Sequence, residues 1–187
     1  MPPTALAPPV FIVMGVSGSG KTTVGQQLAH RLGLPFYDAD DFHSAANIAK
    51  MSHGTPLTDD DRRGWLATLA TDLGTWEQAG GAVMACSALK EKYRATLQSG
   101  ARYPLHWVFL DGSRELLLAR MQGRNGHYMH PAMLDSQLAD LEKPVYALCL
   151  SIEANPAALV DETMAALRQD DAVGTKPEQV DEGPAHN

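Results

Sequence analysis

Val10-Phe11-Ile12-Val13-Met14-Gly15-Val16-Ser17-Gly18-Ser19-Gly20-Lys21-Thr22-Thr23 is the stretch that decides how this chain is read. Val10–Met14 is an apolar run of strand length, and a helical pattern begins at Lys21. Between them Gly15–Thr22 completes the spacing G-x-x-x-x-G-K-[ST]. Glycines at these positions let the backbone curl until its N–H groups converge on a phosphate, aided by the positive end of the following helix. Lys21 is then placed to reach the β- and γ-phosphates, and the Thr22 hydroxyl to ligate Mg²⁺. The competing reading is a plain Gly/Ser turn, and the flanking strand and helix weigh against it. The stretch predicts a nucleoside triphosphate site formed by Gly15, Val16, Ser17, Gly18, Ser19, Gly20, Lys21, Thr22 and Thr23.

Outward from this loop, strand-length apolar runs alternate with helix-length amphipathic ones, which predicts an α/β fold with a parallel sheet. Strands are expected at Val10–Met14, Pro35–Asp38, Ala82–Cys86, His106–Leu110 and Leu148–Ile152. Thr58-Asp59-Asp60-Asp61 reads as a capping box whose acids face the positive helix end. Trp65, Leu66, Leu69, Leu73 and Trp76 then recur at helical spacing and should face the core, until Gly80-Gly81 ends the helix. Residues 1–9 carry four prolines and read as a flexible N-terminal segment, and 10–169 as one domain. Residues 170–187 read as a disordered acidic tail, too poor in apolar residues to offset the entropy of ordering.

The chain has 187 residues and a formal net charge of -7, which argues against a broad nucleic-acid surface but leaves room for a local basic pocket. No apolar run approaches the ~20 residues that span a bilayer. The N-terminus lacks the basic and apolar regions of a secretory signal. Cys86 and Cys149 each sit in an apolar run and read as small buried hydrophobes of a reducing cytoplasm. An Asn-Lys-x-Asp guanine motif appears nowhere, so the triphosphate reads as fuel for a small-molecule kinase rather than a GTPase switch.

In a parallel sheet, ligands bind beyond the carboxyl ends of the strands, which places Asp38, Asp40 and Asp41 beside the phosphate loop. Asp38 and Asp40 alternate, so one can face a metal while the other orients an acceptor hydroxyl and takes its proton. Asp41 reads as a cap for the next helix. Asp111 reads as a plain strand end rather than a metal-orienting acid. His43 follows the acid pair and joins the candidates, whereas His53 and His106 carry no assignment. Arg62, and Lys90 with Arg94, are placed to reach an anionic acceptor or to remain surface charges. Arg120 and Arg124 lie one helical turn apart before Gly126 and His127, the pattern of a mobile lid that brings guanidinium groups to phosphates.

Taken together, these stretches resemble the gluconokinase family, relatives of shikimate kinases and, more distantly, of nucleoside monophosphate kinases. The resemblance runs from Val10 to Ile152. It rests on the phosphate loop, on Asp38-Ala39-Asp40 with His43, Asn47, Lys50 and Met51, and on Gly54–Arg62 with Trp65. It continues through Cys86-Ser87-Ala88-Leu89-Lys90 with Tyr93-Arg94, Arg124–Tyr128, and Met133, Leu134, Gln137, Leu141, Glu142 and Pro144. Ala39 in place of Gly, Asp41 in place of an apolar residue and Ser44 in place of Pro are departures beside the acceptor region. The resemblance implies a P-loop NTPase fold, with a five-stranded parallel sheet in the order 2-3-1-4-5, flanking helices and a lid. It implies transfer of the ATP γ-phosphoryl group to D-gluconate with Mg²⁺, and a homodimer. In that reading Lys21, Thr22 and Asp38 serve the phosphates and metal, and Arg124 balances charge on the transferring group. Asp40 orients the primary hydroxyl, and His43, Arg62 and Lys90 line the acceptor site. A shikimate-like or nucleotide kinase, or a nucleotide-binding regulator without an acceptor site, are the alternatives.

Overall fold

Val10–Met14 forms the central strand β1, and all of its side chains are buried. The computed structural model describes residues 8–122 and 131–174, and within them β1 is joined by β2 (Phe36–Asp38), β3 (Ala82–Ala85), β4 (His106–Asp111) and β5 (Leu148–Ser151). The strands pair in the order β2-β3-β1-β4-β5, every pairing parallel. Register sets Val13 of β1 and Asp38 of β2 on either side of Ala85 of β3. The carboxyl ends of these three strands therefore open side by side at one edge of the sheet.

Because side chains alternate along a strand, each strand feeds two cores. On one face Val10, Ile12 and Met14 pack with Trp65, Leu66, Leu69, Leu73 and Trp76 of α3 (Asp59–Gln78), and Tyr93 of α4 (Glu91–Gln98) joins them. On the other, Phe11 and Val13 pack with Val24 and Leu28 of α1 (Lys21–Leu32) and Leu117 and Met121 of α5 (Arg114–Gln122). Leu134 of α6 (Pro131–Asp140) and Leu159 and Val160 of α7 (Pro156–Gly174) complete this second core. Each fully buried Leu of this kind contributes about 1.5–3 kcal/mol relative to exposure. The remaining elements are a 3₁₀ turn at Ala39–Phe42 and α2 at Ala45–Ser52.

The helix expected after Leu57 begins at Asp59 with a full capping box. Thr58 Oγ1 accepts from the Asp61 amide, and the Asp61 carboxylate accepts from the Thr58 amide. Three expectations need correction. Helix α7 continues to Gly174, and residues 175–187 of the expected tail lie outside the described residues. The Pro9 carbonyl accepts from the Ala82 amide, so the last residue of the N-terminal segment is tied to the sheet. Cys86 is buried as expected, but Cys149 is exposed, since it lies on the edge strand β5. Among the described residues no helix is long and apolar enough to cross a membrane. Arg124, Gly126 and His127 of the expected lid lie outside the described residues.

Candidate active site

The phosphate loop occupies the turn from β1 into α1. Gly15 and Gly18 have φ of 147° and 81°, and neither position has room for a side chain. A Cβ on Gly15 would lie 2.8 Å from the Leu110 carbonyl oxygen, and one on Gly18 2.9 Å from Met121 Cγ. Gly20, also left-handed, opens α1 without a capping side chain, so the first-turn amides keep the loop side clear for an anion. Lys21 Nζ donates to the Val16 carbonyl at 3.1 Å, folded back over the loop. Arg120 reaches the same loop: its guanidinium donates to the Ser19 carbonyl at 3.5 Å and to the Ile152 carbonyl.

The acid pair follows at the end of β2. Thr22 Oγ1 donates to Asp38 Oδ2 at 2.8 Å, which brings the expected metal-holding hydroxyl and carboxylate together. The other oxygen of Asp38 accepts from the Asp40 amide at 3.1 Å, capping the 3₁₀ turn. Asp38 and Asp40 are thus set apart by a tight turn, not by strand alternation. Asp41, expected to cap the next helix, is exposed, and Ser44 Oγ supplies that cap instead. Two oxygen donors suit Mg²⁺, which keeps several waters and takes its other ligands from phosphate.

The Asp40 side chain is 81% exposed, standing clear of the core that buries its neighbour Ala39. Partial desolvation raises its pKa above the ordinary aspartate value, Asp38 and Asp41 push the same way, and Lys21 and His43 oppose the shift. His43 is stacked on Trp65 with ring centroids 4.3 Å apart, and its Nε2 lies 3.9 Å from Asp40 Oδ1. Desolvation lowers the His43 pKa, with Asp40 opposing and Arg62 assisting, which favours the neutral ring. Trp65 Nε1 donates to the Ala39 carbonyl at 2.8 Å and fixes the turn that carries Asp40. Ser19 Oγ and His43 Nδ1 are the buried side-chain polar atoms left without a partner among the described residues, and both belong to this site.

The basic candidates fare differently from one another. Arg62 sits with its guanidinium carbon 5.6 Å from the Tyr93 ring centroid and donates to the Leu57 carbonyl. Lys90 is engaged by Asp59 at 3.3 Å and Asp140 at 3.2 Å. Burial works against its charge, but those hydrogen bonds outweigh it and raise its pKa. Arg94 does not face the cleft at all: its guanidinium is buried and spent on protein acceptors. Asp111 ends β4 as expected, with Lys143 Nζ 2.6 Å away. The residue that sequence reasoning missed is Gln137 of α6, whose Oε1 accepts from the Ser17 amide of the phosphate loop at 2.7 Å. It stood within the family pattern, but nothing local pointed it at a loop 120 residues earlier.

This arrangement, a phosphate cradle with a carboxylate beside it, suits transfer of a phosphoryl group to a small hydroxyl compound. Comparison with known proteins agrees. The shikimate kinase family model matches residues 17–169. A gluconokinase from Gluconobacter oxydans (strain 621H) is 44% identical over 170 residues, spanning 89% of this chain and 95% of the relative. The thermosensitive gluconokinase of Escherichia coli (strain K12) is 47% identical over 135 residues, 72% of each chain. The crystal structure of a gluconokinase from Sinorhizobium meliloti 1021 matches with a TM-score of 0.81 at 40% identity, covering 91% of this chain and 99% of that one. With the phosphate loop, the sheet order and these relatives in agreement, the chain belongs to the gluconokinase family of ATP-dependent P-loop kinases.

Proposed function

We propose that this protein transfers the γ-phosphoryl group of ATP to the 6-hydroxyl of D-gluconate, giving 6-phosphogluconate and ADP. The observation that carries the reading is the Asp40 carboxylate set one tight turn from the Thr22–Asp38 pair that meets the phosphate loop. The gluconokinase relatives supply the acceptor. In the reaction the acceptor oxygen forms a bond to the γ-phosphorus as the bond to the β,γ-bridging oxygen breaks, and the acceptor proton passes to Asp40. Loop amides and Lys21 hold the phosphates, and Arg120 stands over the loop to balance charge, with Arg124 assigned the same task from the lid. Thr22 and Asp38 would hold Mg²⁺, which neutralises phosphate charge when bound. His43 and Arg62 line the acceptor side, and Lys90 contributes from its place between Asp59 and Asp140. Positioning and electrostatics supply most of the rate.

A cytoplasmic setting fits the thiols: burial pushes Cys86 up to about 12, and Cys149 is free. A homodimer follows from the family resemblance. The test of function is initial-rate kinetics with ATP and gluconate, glucose or shikimate, with the product identified by mass. Gluconate should be preferred, and Arg62→Lys should weaken its use without changing the KM for ATP, because lysine lacks the paired donors that grip a carboxylate. Faster turnover of shikimate than of gluconate sinks the assignment.

A further inference from the structure

We infer that Arg94, closed over by Glu142, is a positioning residue for the acceptor: it holds the loop after β3 in the shape that walls the acceptor site. The inference rests on the proposed acceptor reading. Cys86 leaves β3 between the ends of β2 and β1, its amide donating to the Val13 carbonyl at 3.1 Å. The residues that follow, Ser87–Lys90, therefore start between the ends of β2 and β1, the strands that lead into the Asp38–Asp40 turn and the phosphate loop. Ala88 and Leu89 are buried, so this segment forms part of the cleft's foundation rather than a solvated flap.

Arg94 is 2% exposed, and all five of its N–H donors find acceptors. Nη1 donates to two consecutive carbonyls, Ala88 at 2.8 Å and Leu89 at 3.1 Å. Nη2 donates to Glu91 Oε2 at 2.7 Å and to the Glu142 carbonyl at 2.8 Å. Nε is shared between Glu91 Oε2 at 3.1 Å and the Tyr146 hydroxyl at 2.9 Å. Glu142 grips the same loop from outside: its amide donates to the Leu89 carbonyl at 2.9 Å, and its Oε2 accepts from the Glu91 amide at 2.6 Å.

Ala88, whose carbonyl Arg94 holds, sits at φ 44°, the one non-glycine residue with positive φ among those described. Such a conformation persists only where its surroundings over-determine it, and it clusters at functional sites. Stability is a poor explanation for the buried charge, because apolar replacements of similar volume are often as stable. An apolar side chain would not hold the two carbonyls inward. What Arg94 adds is the shape of the loop.

The experiment measures KM and kcat for gluconate and for ATP, with melting temperature, in wild type, Arg94→Lys and Glu142→Ala. Lysine keeps the charge but cannot serve two carbonyls and two further acceptors in one plane. Arg94→Lys should raise the KM for gluconate roughly ten- to a hundredfold, the size expected of a site displaced by about an ångström. The KM for ATP should stay within about twofold, since the phosphate loop takes no bond from Arg94. Glu142 is exposed, so Glu142→Ala should fold and show a smaller shift in the same direction, which decides the matter if Arg94→Lys does not fold. A lower melting temperature with both KM values unchanged, or with both raised alike, overturns the positioning role while wild type still uses gluconate. A wild-type protein inactive on gluconate overturns the acceptor reading, and this inference with it.

Discussion

In the proposed reaction Asp40 takes the acceptor proton, and its environment sets the sign of two predictions. A base must be ionised to take the acceptor proton, and partial desolvation holds this carboxyl protonated to higher pH than an ordinary aspartate. Activity should therefore fall as pH drops through a value above the ~3.9 of a model aspartate. Asp41, exposed and outside the reaction, adds to the upward shift, so Asp41→Asn should move the acid limb to lower pH and leave neutral turnover intact. A limb that stays put, or moves up, removes Asp40 as its source. Asp40→Asn should cut turnover about 10²–10⁴-fold with ATP binding kept. A larger effect from Asp38→Asn, with Asp40→Asn almost silent, reverses the roles. At this scale the sequence was informative about where Asp38, Asp40 and Lys21 lie, because motif and strand end are local signals. Arg94 was misleading, because a lone arginine one turn into a helix looks the same whether it faces solvent or a loop's carbonyls.

Among the elements, the start of α3 ties stability to pH. The Asp61 carboxylate accepts from Lys50 Nζ at 2.6 Å and from the Thr58 amide and hydroxyl, each at 2.8 Å. Those bonds, Lys50 first, lower its pKa to about 2. The Asn47 side chain donates to the Asp61 carbonyl at 2.8 Å, so α2 docks on the same turn. A carboxyl depressed in the folded state contributes stability that is complete above its unfolded pKa of ~3.9 and is lost as pH falls through the folded one. Melting temperature should then drop between about pH 4 and pH 2 in wild type. Asp61→Asn should melt lower at neutral pH and show a flatter profile through that window; an equally steep one would place the acid sensitivity elsewhere. The capping box was legible because Thr58 and Asp61 are three residues apart. Gln137 on Ser17, or Glu142 on Leu89, was not, because those pairs meet only after the sheet has assembled. Cys149 shows the same limit: an apolar run reads as buried, while only strand order reveals that β5 is an edge.

For the molecule as a whole, the sheet acts as a partition that keeps the two halves of the reaction on separate foundations. The face that packs α3 and α4 carries Ala39, Trp65, Ala88 and Tyr93 on the side proposed for the acceptor, while Leu89 of the same loop packs into the other core. The opposite face packs α1 and α5 and carries Val16, Val24 and Met121 beneath the phosphate loop. The partition predicts energetic independence. Ile12 of β1 and Leu28 of α1 are both 0% exposed but belong to different faces. Ile12→Val should cost about 0.5–1.5 kcal/mol and Leu28→Ala about 2–5 kcal/mol, by lost transfer energy and the cavity left behind. Each kilocalorie should lower the melting temperature by about 2–4 °C for a domain of this size. Because the two side chains belong to different cores, the double variant should lose the sum of the single costs within about 0.5 kcal/mol, measured from urea unfolding. Additivity would mean that the nucleotide face can adjust around ATP without loosening the floor under Asp40. A coupling above about 1 kcal/mol would show that the strands transmit strain between the cores, and the acceptor wall would then have to be treated as responsive to the phosphate loop.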